Sequence, residues 1–163
     1  MTRREPNVLD AIAGFIPGYR GYADRDARRT TDRLLRESVA RRLVGLARDV
    51  DAVVLRLVDA GTLEGIGDLD RVKRELGACA DAFRHAPAGG SGLMDDHAVT
   101  AADLDRAHRN DLEVRRQVEA LAASVAQAVA TGTAAALLAL QPEIARIREA
   151  IARRQDALRE ALD

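Results

Sequence analysis

The chain has 163 residues, of which 47% are hydrophobic, and a formal net charge of −1 at pH 7. This length predicts one domain with a sizeable core, and the balanced charge excludes a strongly polyanion-binding composition. Cys79 is the only cysteine, so an internal disulfide is excluded and a reducing compartment is favoured. Because aromatic residues make up only 2% of the chain, we expect an aliphatic and alanine-rich core.

Residues 1–23 are predicted to hold a short helix, over about 7–15, and an aromatic loop. The apolar residues that can share one face of this helix are Val8, Leu9, Ile12, Phe15 and Ile16. Either this face packs on the rest of the protein, or residues 7–16 lie on a membrane surface. Membrane-surface helices usually carry basic residues on the polar face. Asp10 is the only charge inside this helix, which favours packing on the protein.

A long helix is predicted over 24–60, with Asp24 as its N-cap and Gly61 just after its end. Heptad spacing gives it an apolar seam formed by Val39, Leu43, Leu46, Val50, Val53 and Leu57. A helix over 25–60 would be roughly 54 Å long, whereas a compact domain of this size has a radius of gyration of about 15 Å. We therefore expect part of the seam, represented by Leu46 and Val50, to bind another copy of the chain or another protein.

Charged residues replace aliphatic ones where this seam is extended toward the N-terminus, at Asp32 and Arg28. A charged seam cannot be buried without partners. Either the preceding aromatic residues stack on the first arginines of the helix, or this end is a docking surface for another subunit or protein. The residues of this candidate interaction site, within 15–29, are Phe15, Tyr19, Tyr22, Arg25, Arg28 and Arg29.

The arginines of the long helix alternate with acidic residues around its surface. Arg28 and Asp32, like Arg33 and Glu37, have the i, i+4 spacing that stabilises solvated helices. A nucleic-acid site would instead need a basic stripe on one face. The pattern therefore disfavours a nucleic-acid partner.

Two further helices are predicted over 68–85 and 101–131, joined by a flexible, glycine-rich linker over 86–99. The apolar face of the first comprises Leu69, Val72, Leu76, Cys79 and Phe83, and the heptad seam of the second comprises Val114, Val118, Leu121 and Val125. Both patterns indicate amphipathic helices that pack on a common core.

The last helix is predicted over 133–162, with a kink near Pro142. A helix that starts at Pro142 is the alternative, because proline is favoured in a first turn. Its seam comprises Leu137, Leu140, Ile144, Ile147, Ile151 and Leu158, with Arg154 in one slot. Since the heptad phase changes at Gly132, the chain either reverses there or continues as one kinked helix.

Catalytic and cofactor-binding motifs are not found in the sequence, and we expect no cofactor. A carboxylate-bridged metal site in a four-helix bundle needs Glu-x-x-His pairs, and the chain has none. We interpret His85, His97 and His108 as surface residues and Cys79 as a small core residue.

These patterns predict an all-α fold over 1–163: an elongated bundle of three to four long helices with coiled-coil-like heptad seams and a short N-terminal helix. The function that fits best is a non-catalytic interaction or scaffold protein that forms homo-oligomers through its long helices. The alternatives are a peripheral membrane protein anchored by its N-terminal segment and a small metal-dependent helical enzyme. No stretch is apolar enough for a transmembrane helix, so we expect a cytoplasmic protein, peripheral to the inner membrane in the first alternative.

Overall fold

The computed structural model describes residues 25–86 and 101–160, and the side chains of 32–86, 106 and 108–156 within them. These residues form four long helices, one short helix and no strand, which confirms the all-α prediction. The helices are α1 (Arg25–Asp59), α2 (Ile66–Arg84), α3 (Ala101–Thr131), α4 (Ala134–Leu138) and α5 (Gln141–Glu160).

Helix α1 ends where the glycine signal predicted. Gly61 has a φ of 73°, in the left-handed region that favours glycine. Its N–H donates to the carbonyl of Val58 at 2.9 Å, and the N–H of Thr62 donates to the carbonyl of Leu57 at 2.8 Å. These two bonds form a Schellman motif, which satisfies the last carbonyls of the helix. The chain then turns back into α2.

Four helices occupy the corners of a bundle, in the order α1, α2, α5, α3 around it. The contact of Arg36 with the carbonyl of Arg84 makes α2 antiparallel to α1. Arg42 lies 3.6 Å from Glu119, and Arg56 donates to the carbonyl of Val129 at 3.1 Å, so α3 runs parallel to α1. Helix α5 returns antiparallel to α3. Helices α2 and α3 therefore stand on opposite corners.

Among the described side chains, the heptad-spaced residues of all three predicted seams face the centre of this bundle, and Leu57 is only partly buried against it. On α1 the buried ones are Leu35, Val39, Leu43, Leu46, Val50 and Val53. Helix α3 is 31 residues long and runs beside α1, so α2 and α3 together cover the seam. Leu46 and Val50 are 1% and 0% exposed and are core residues of the single chain. The expectation of an uncovered seam at these two residues is therefore wrong.

The chain reverses after α3, which resolves the ambiguity at Gly132. Gly132 has a φ of 73°, and the Thr133 hydroxyl accepts a hydrogen bond from the N–H of Ala136, capping α4. Helix α4 packs against α1, α2 and α3 at one end of the bundle, with Leu137 fully buried. Helix α5 then starts at Gln141.

The predicted kink within one helix over 133–162 is wrong. Residues 139 and 140 separate two helices, and Pro142 is the second residue of α5. Proline has no N–H to donate, and the first turn of a helix is where that loss costs least. The alternative start at Pro142 is thus one residue from the observed one.

Candidate functional site

Polar and charged side chains are buried at the end of the bundle where α1 begins and α5 ends. We call this group the ionic cluster, and its members are Asp32, Arg36, His108, Asp111 and Arg154. They come from α1, α3 and α5. An isolated buried charge is costly, so the partners of each group decide what the cluster does.

Arg154 is the centre of the ionic cluster and is fully buried. Its Nε donates to Asp111 Oδ1, and its Nη2 lies 3.4 Å from Asp111 Oδ2 and 3.2 Å from Asp32 Oδ1. The guanidinium carbon lies 5.7 Å from the ring centre of Phe83, within the range of cation–π attraction. One side chain of α5 thus contacts α1, α2 and α3.

Arg36 links the cluster to the end of α2. Its Nη2 forms an ion pair with Asp32 Oδ2 at 2.8 Å. Its Nη1 donates to the carbonyl of Ala86 and, at 3.3 Å, to that of Arg84. Carbonyls at a helix C-terminus lack partners within the helix and carry partial negative charge, so a guanidinium there stabilises α2.

Burial raises the pKa of Asp111 from its usual 3.8 to about 6. The guanidinium of Arg154 opposes this rise, the carboxylate of Asp32 adds to it, and His108 opposes it. At neutral pH Asp111 is therefore ionised, and the cluster contains two carboxylates balanced by two guanidinium groups. This arrangement binds helices together.

The predicted interaction residues are only partly within the described ranges. Phe15, Tyr19 and Tyr22 lie outside them. Arg25, Arg28 and Arg29 belong to the first turns of α1, and their side chains lie outside the description. Stacking of these aromatic residues on the arginines therefore stays a prediction.

The charge at Asp32 has a partner that sequence reasoning did not assign. This partner is Arg154, the charged residue in the predicted seam of the last helix. Arg154 forms an ion pair with Asp32 across the bundle, because α5 and α1 lie on opposite corners. Asp111 was missed altogether. A signal for it was present, because Asp111 lies three residues before Val114 and extends the seam of α3. Among the described side chains, each of the three seams thus carries a buried charged residue at the same end of the bundle, namely Asp32, Asp111 and Arg154.

The histidine predictions need one correction. His108 is buried within the ionic cluster and is not a surface residue, whereas His85 is exposed. His97 lies outside the described residues. Cys79 is buried in the core, as predicted, and burial raises the pKa of its thiol.

An open apolar groove lies between α2 and α5, with a volume of about 250 Å³. We call it the α2–α5 groove, and its apolar lining comprises Ala78, Cys79, Ala82, Ile144, Ile151 and Ala152. Three of these residues are alanines, whose small side chains leave space between the helices. Glu75, Arg148 and Gln155 provide its polar groups.

A second apolar surface lies at the opposite end of the bundle from the ionic cluster. Leu55, Val58 and Leu63, around the turn between α1 and α2, are 61%, 46% and 71% exposed. We call these three residues the apolar tip. Large apolar side chains grouped on a surface often mark an interaction site.

Within 25–86 and 101–160, no group of three or more histidine, cysteine, aspartate or glutamate side chains is arranged to hold a metal ion. No helix in these ranges is long and apolar enough to cross a membrane. Comparison of the chain with protein-family models, with curated proteins and with solved structures gives no significant match. A proposal about function therefore rests on the contacts, burial and charges of the described residues.

Proposed function

We propose that this protein is a non-catalytic helical interaction protein that self-associates, and that the apolar tip is its interface. The observation that carries the proposal is that exposed large apolar side chains concentrate within residues 55–63, around one end of the bundle. Of the four large hydrophobic side chains exposed in the described residues, three belong to the tip, and the fourth is Leu34 near the start of α1. Isolated exposed apolar residues are ordinary, whereas a group of them favours a binding surface.

The charges around the apolar tip favour a second copy of the chain as its partner. Arg56 and Arg71 are exposed on this end of the bundle, as are Asp59 and Glu64. In a two-fold dimer the same surface of each protomer meets its copy, so a rim of both signs can pair with itself. A rim of a single sign would repel its copy.

The buried polar groups support a structural role. The carboxylates of Asp32 and Asp111 are each neutralised by a guanidinium group from the same bundle, and Arg36 stabilises the end of α2. These contacts are directed inward and fix the positions of the helices. In this proposal the long helices form a rigid body whose apolar seams are buried within the single chain. Any coiled-coil pairing between copies then involves the end of the α1–α2 hairpin.

The test measures mass in solution by light scattering at tens of micromolar protein, a concentration that populates dimers of micromolar affinity. The variant replaces both Leu55 and Leu63 by serine. We expect the wild type to have the mass of a dimer and the variant that of a monomer, because two apolar contacts of each copy are removed from the interface.

Leu34→Ser is the matched control. Leu34 is also an exposed leucine of α1, at 44%, but it lies at the end with the ionic cluster. This substitution should leave the dimer intact. A wild type that remains a monomer throughout this concentration range would contradict the proposal, and so would equal loss of the dimer in the control.

A further inference from the structure

We propose that the α2–α5 groove binds a small zwitterionic ligand, namely an α-amino acid with an aliphatic side chain. Among the neighbouring long helices α2 and α5 pack least closely, and alanine and isoleucine side chains line the space between them. The volume of the groove is about 250 Å³, just below the range of about 300 to 1,000 Å³ that is typical of sites for drug-sized molecules. The size and the lining of the groove therefore favour a small, largely apolar molecule.

Two opposite charges lie level with each other on the two walls of the groove. Helices α2 and α5 run parallel, and Gln155 of α5 donates to the carbonyl of Ala82 in α2 at 3.5 Å. Glu75 and Arg148 precede these two residues by the same number of positions, so both lie about 10 Å closer to the helix starts. The pKa of the Cys79 thiol is raised mainly by burial, lowered by Arg148 and raised by Glu75. Both charges therefore lie near this part of the groove.

The groove keeps these two charges apart. Within residues 32–86, 106 and 108–156, neither Glu75 nor Arg148 forms an ion pair, so their charged atoms lie more than 4.0 Å from each other. An α-amino acid carries an ammonium group and a carboxylate on the same carbon atom. Its ammonium group can therefore donate to Glu75 while its carboxylate accepts from Arg148. A ligand with a single charge would be repelled by one of the two walls, and this difference favours a zwitterion.

The apolar part of the groove beyond these charges accommodates the side chain of the ligand. Ala78, Ile151 and Ala152 line this part, and no aromatic side chain is among the described residues of the lining. The contact of Gln155 with the carbonyl of Ala82 closes its far end. The distance from Arg148 to Gln155 along α5 is about 10 Å, so an aliphatic side chain of ordinary length fits, and its burial favours binding.

Isothermal titration calorimetry tests the full-length protein with L-leucine and L-methionine up to about 10 mM, a concentration that saturates a site of millimolar affinity. Three analogues each lack one recognised group: glycine the side chain, leucinamide the carboxylate and N-acetylleucine the ammonium group. We expect leucine or methionine to bind, and each analogue to bind about tenfold more weakly or less, because one contact is lost. Absence of binding by both amino acids would overturn the proposal. Equal binding of N-acetylleucine would assign the groove to an anionic amphiphile and would overturn it as well.

Substitutions of the two charges test whether the amino acid binds in this groove. Glu75→Gln and Arg148→Gln keep the length of each side chain and remove its charge. Each should weaken leucine binding by about tenfold or more, since a charged hydrogen bond is lost. Arg153→Gln removes an exposed charge of the same helix outside the groove and should leave the affinity unchanged. Affinity equal to that of the wild type in either groove variant would overturn the proposal.

A larger side chain in the groove provides a test that leaves both charges in place. Ala152→Leu fills the apolar part and should abolish leucine binding. Ala123→Leu makes the same change on the exposed face of α3 and should retain it. Both alanines are exposed, so neither substitution enters the core. Equal affinity of the two variants would contradict the proposal. None of these substitutions involves the apolar tip, so failure here leaves the proposed dimer unaffected.

Discussion

The guanidinium of Arg154 contacts residues of three other helices and is fully buried among them. Burial of an ion pair removes both groups from water, and this cost offsets much of the attraction between them. The net contribution of such a pair to stability is therefore small. Removal of one partner has a much larger effect, since the other charge is then left buried alone.

Arg154→Met should lower the free energy of unfolding by about 3 to 5 kcal/mol, because the Asp111 carboxylate loses its guanidinium inside the bundle. Addition of Asp111→Leu to that variant should restore most of the loss, since Asp32 keeps its ion pair with Arg36. Denaturant titration measures both variants. Arg153→Met, at the exposed neighbouring position, is the control and should change stability little. An equal loss in the single and the double variant would contradict this account.

Titration of Asp111 should make stability depend on pH. Its pKa in the folded protein, about 6, lies above the usual 3.8, so the folded state holds this proton more tightly. The stability that protonation of this group provides is therefore fully present below about pH 4 and is lost as pH rises through about 6, by about 3 kcal/mol.

Asp111→Asn removes this titration while it keeps the shape of the side chain. The free energy of unfolding of the wild type should fall relative to Asp111→Asn between pH 4 and pH 7. Asp59→Asn, at an exposed position, should give a difference that does not vary with pH. A constant difference for Asp111→Asn would show that the carboxylate has an ordinary pKa in the folded protein.

Two glycines of the helical hairpin differ both in backbone conformation and in the space around them. Gly65 precedes α2 with a φ of 78°, and a Cβ there would lie 3.0 Å from the Cβ of Ala134 in α4. Gly45 lies inside α1, where a Cβ would meet open space. Gly65→Ala should lower the free energy of unfolding by about 1 to 2 kcal/mol.

Gly45→Ala should raise the free energy of unfolding by about 0.5 to 1 kcal/mol, because alanine restricts the unfolded chain and favours the helix. Thermal unfolding followed by circular dichroism measures both substitutions. The same sign of change for the two variants would contradict the assignment of Gly65 to a left-handed turn.

The predicted helix bounds differ in accuracy for physical reasons. Helices α1 and α3 lie within a residue of their predicted bounds, since Gly61 and Gly132 end them with local signals. Pro142 is compatible with both a kink and a first turn, so the sequence left the start of α5 open. The packing of α4 across the end of the bundle determines where α5 starts. This packing is a tertiary contact, which local sequence signals do not reveal.

The ionic cluster could be predicted only in part. Asp32 and Arg154 interrupt otherwise aliphatic seams, and both were visible as charges that need partners. Their pairing depends on which helices become neighbours, and three similar aliphatic seams do not encode that order. Leu46 and Val50 were misassigned for the same reason, because the burial of a seam within the chain depends on how α3 is placed.

The oligomeric state of the whole molecule should be insensitive to core truncation. Leu46→Ala should lower the free energy of unfolding by about 2 to 5 kcal/mol, since it creates a cavity between α1 and its neighbours. The mass in solution should stay that of the wild type, because Leu46 is covered by helices of its own chain. Light scattering and denaturant titration on the same samples measure both quantities. If Leu46→Ala dissociated the oligomer without lowering the free energy of unfolding, the seam of α1 would have to be part of the interface between copies.

The hydrogen bond between Arg154 and Asp32 joins residues that are 122 positions apart in the chain. The hairpin of α1 and α2 closes through contacts that are local in sequence, and such contacts form early in folding. The ionic cluster can be completed only when α5 docks. The contacts of the ionic cluster are therefore expected to form after the folding transition state. Contacts that form this late change the unfolding rate more than the folding rate. A bundle with α5 on another corner would bury Arg154 without the carboxylates of Asp32 and Asp111, so we expect the cluster to disfavour such arrangements.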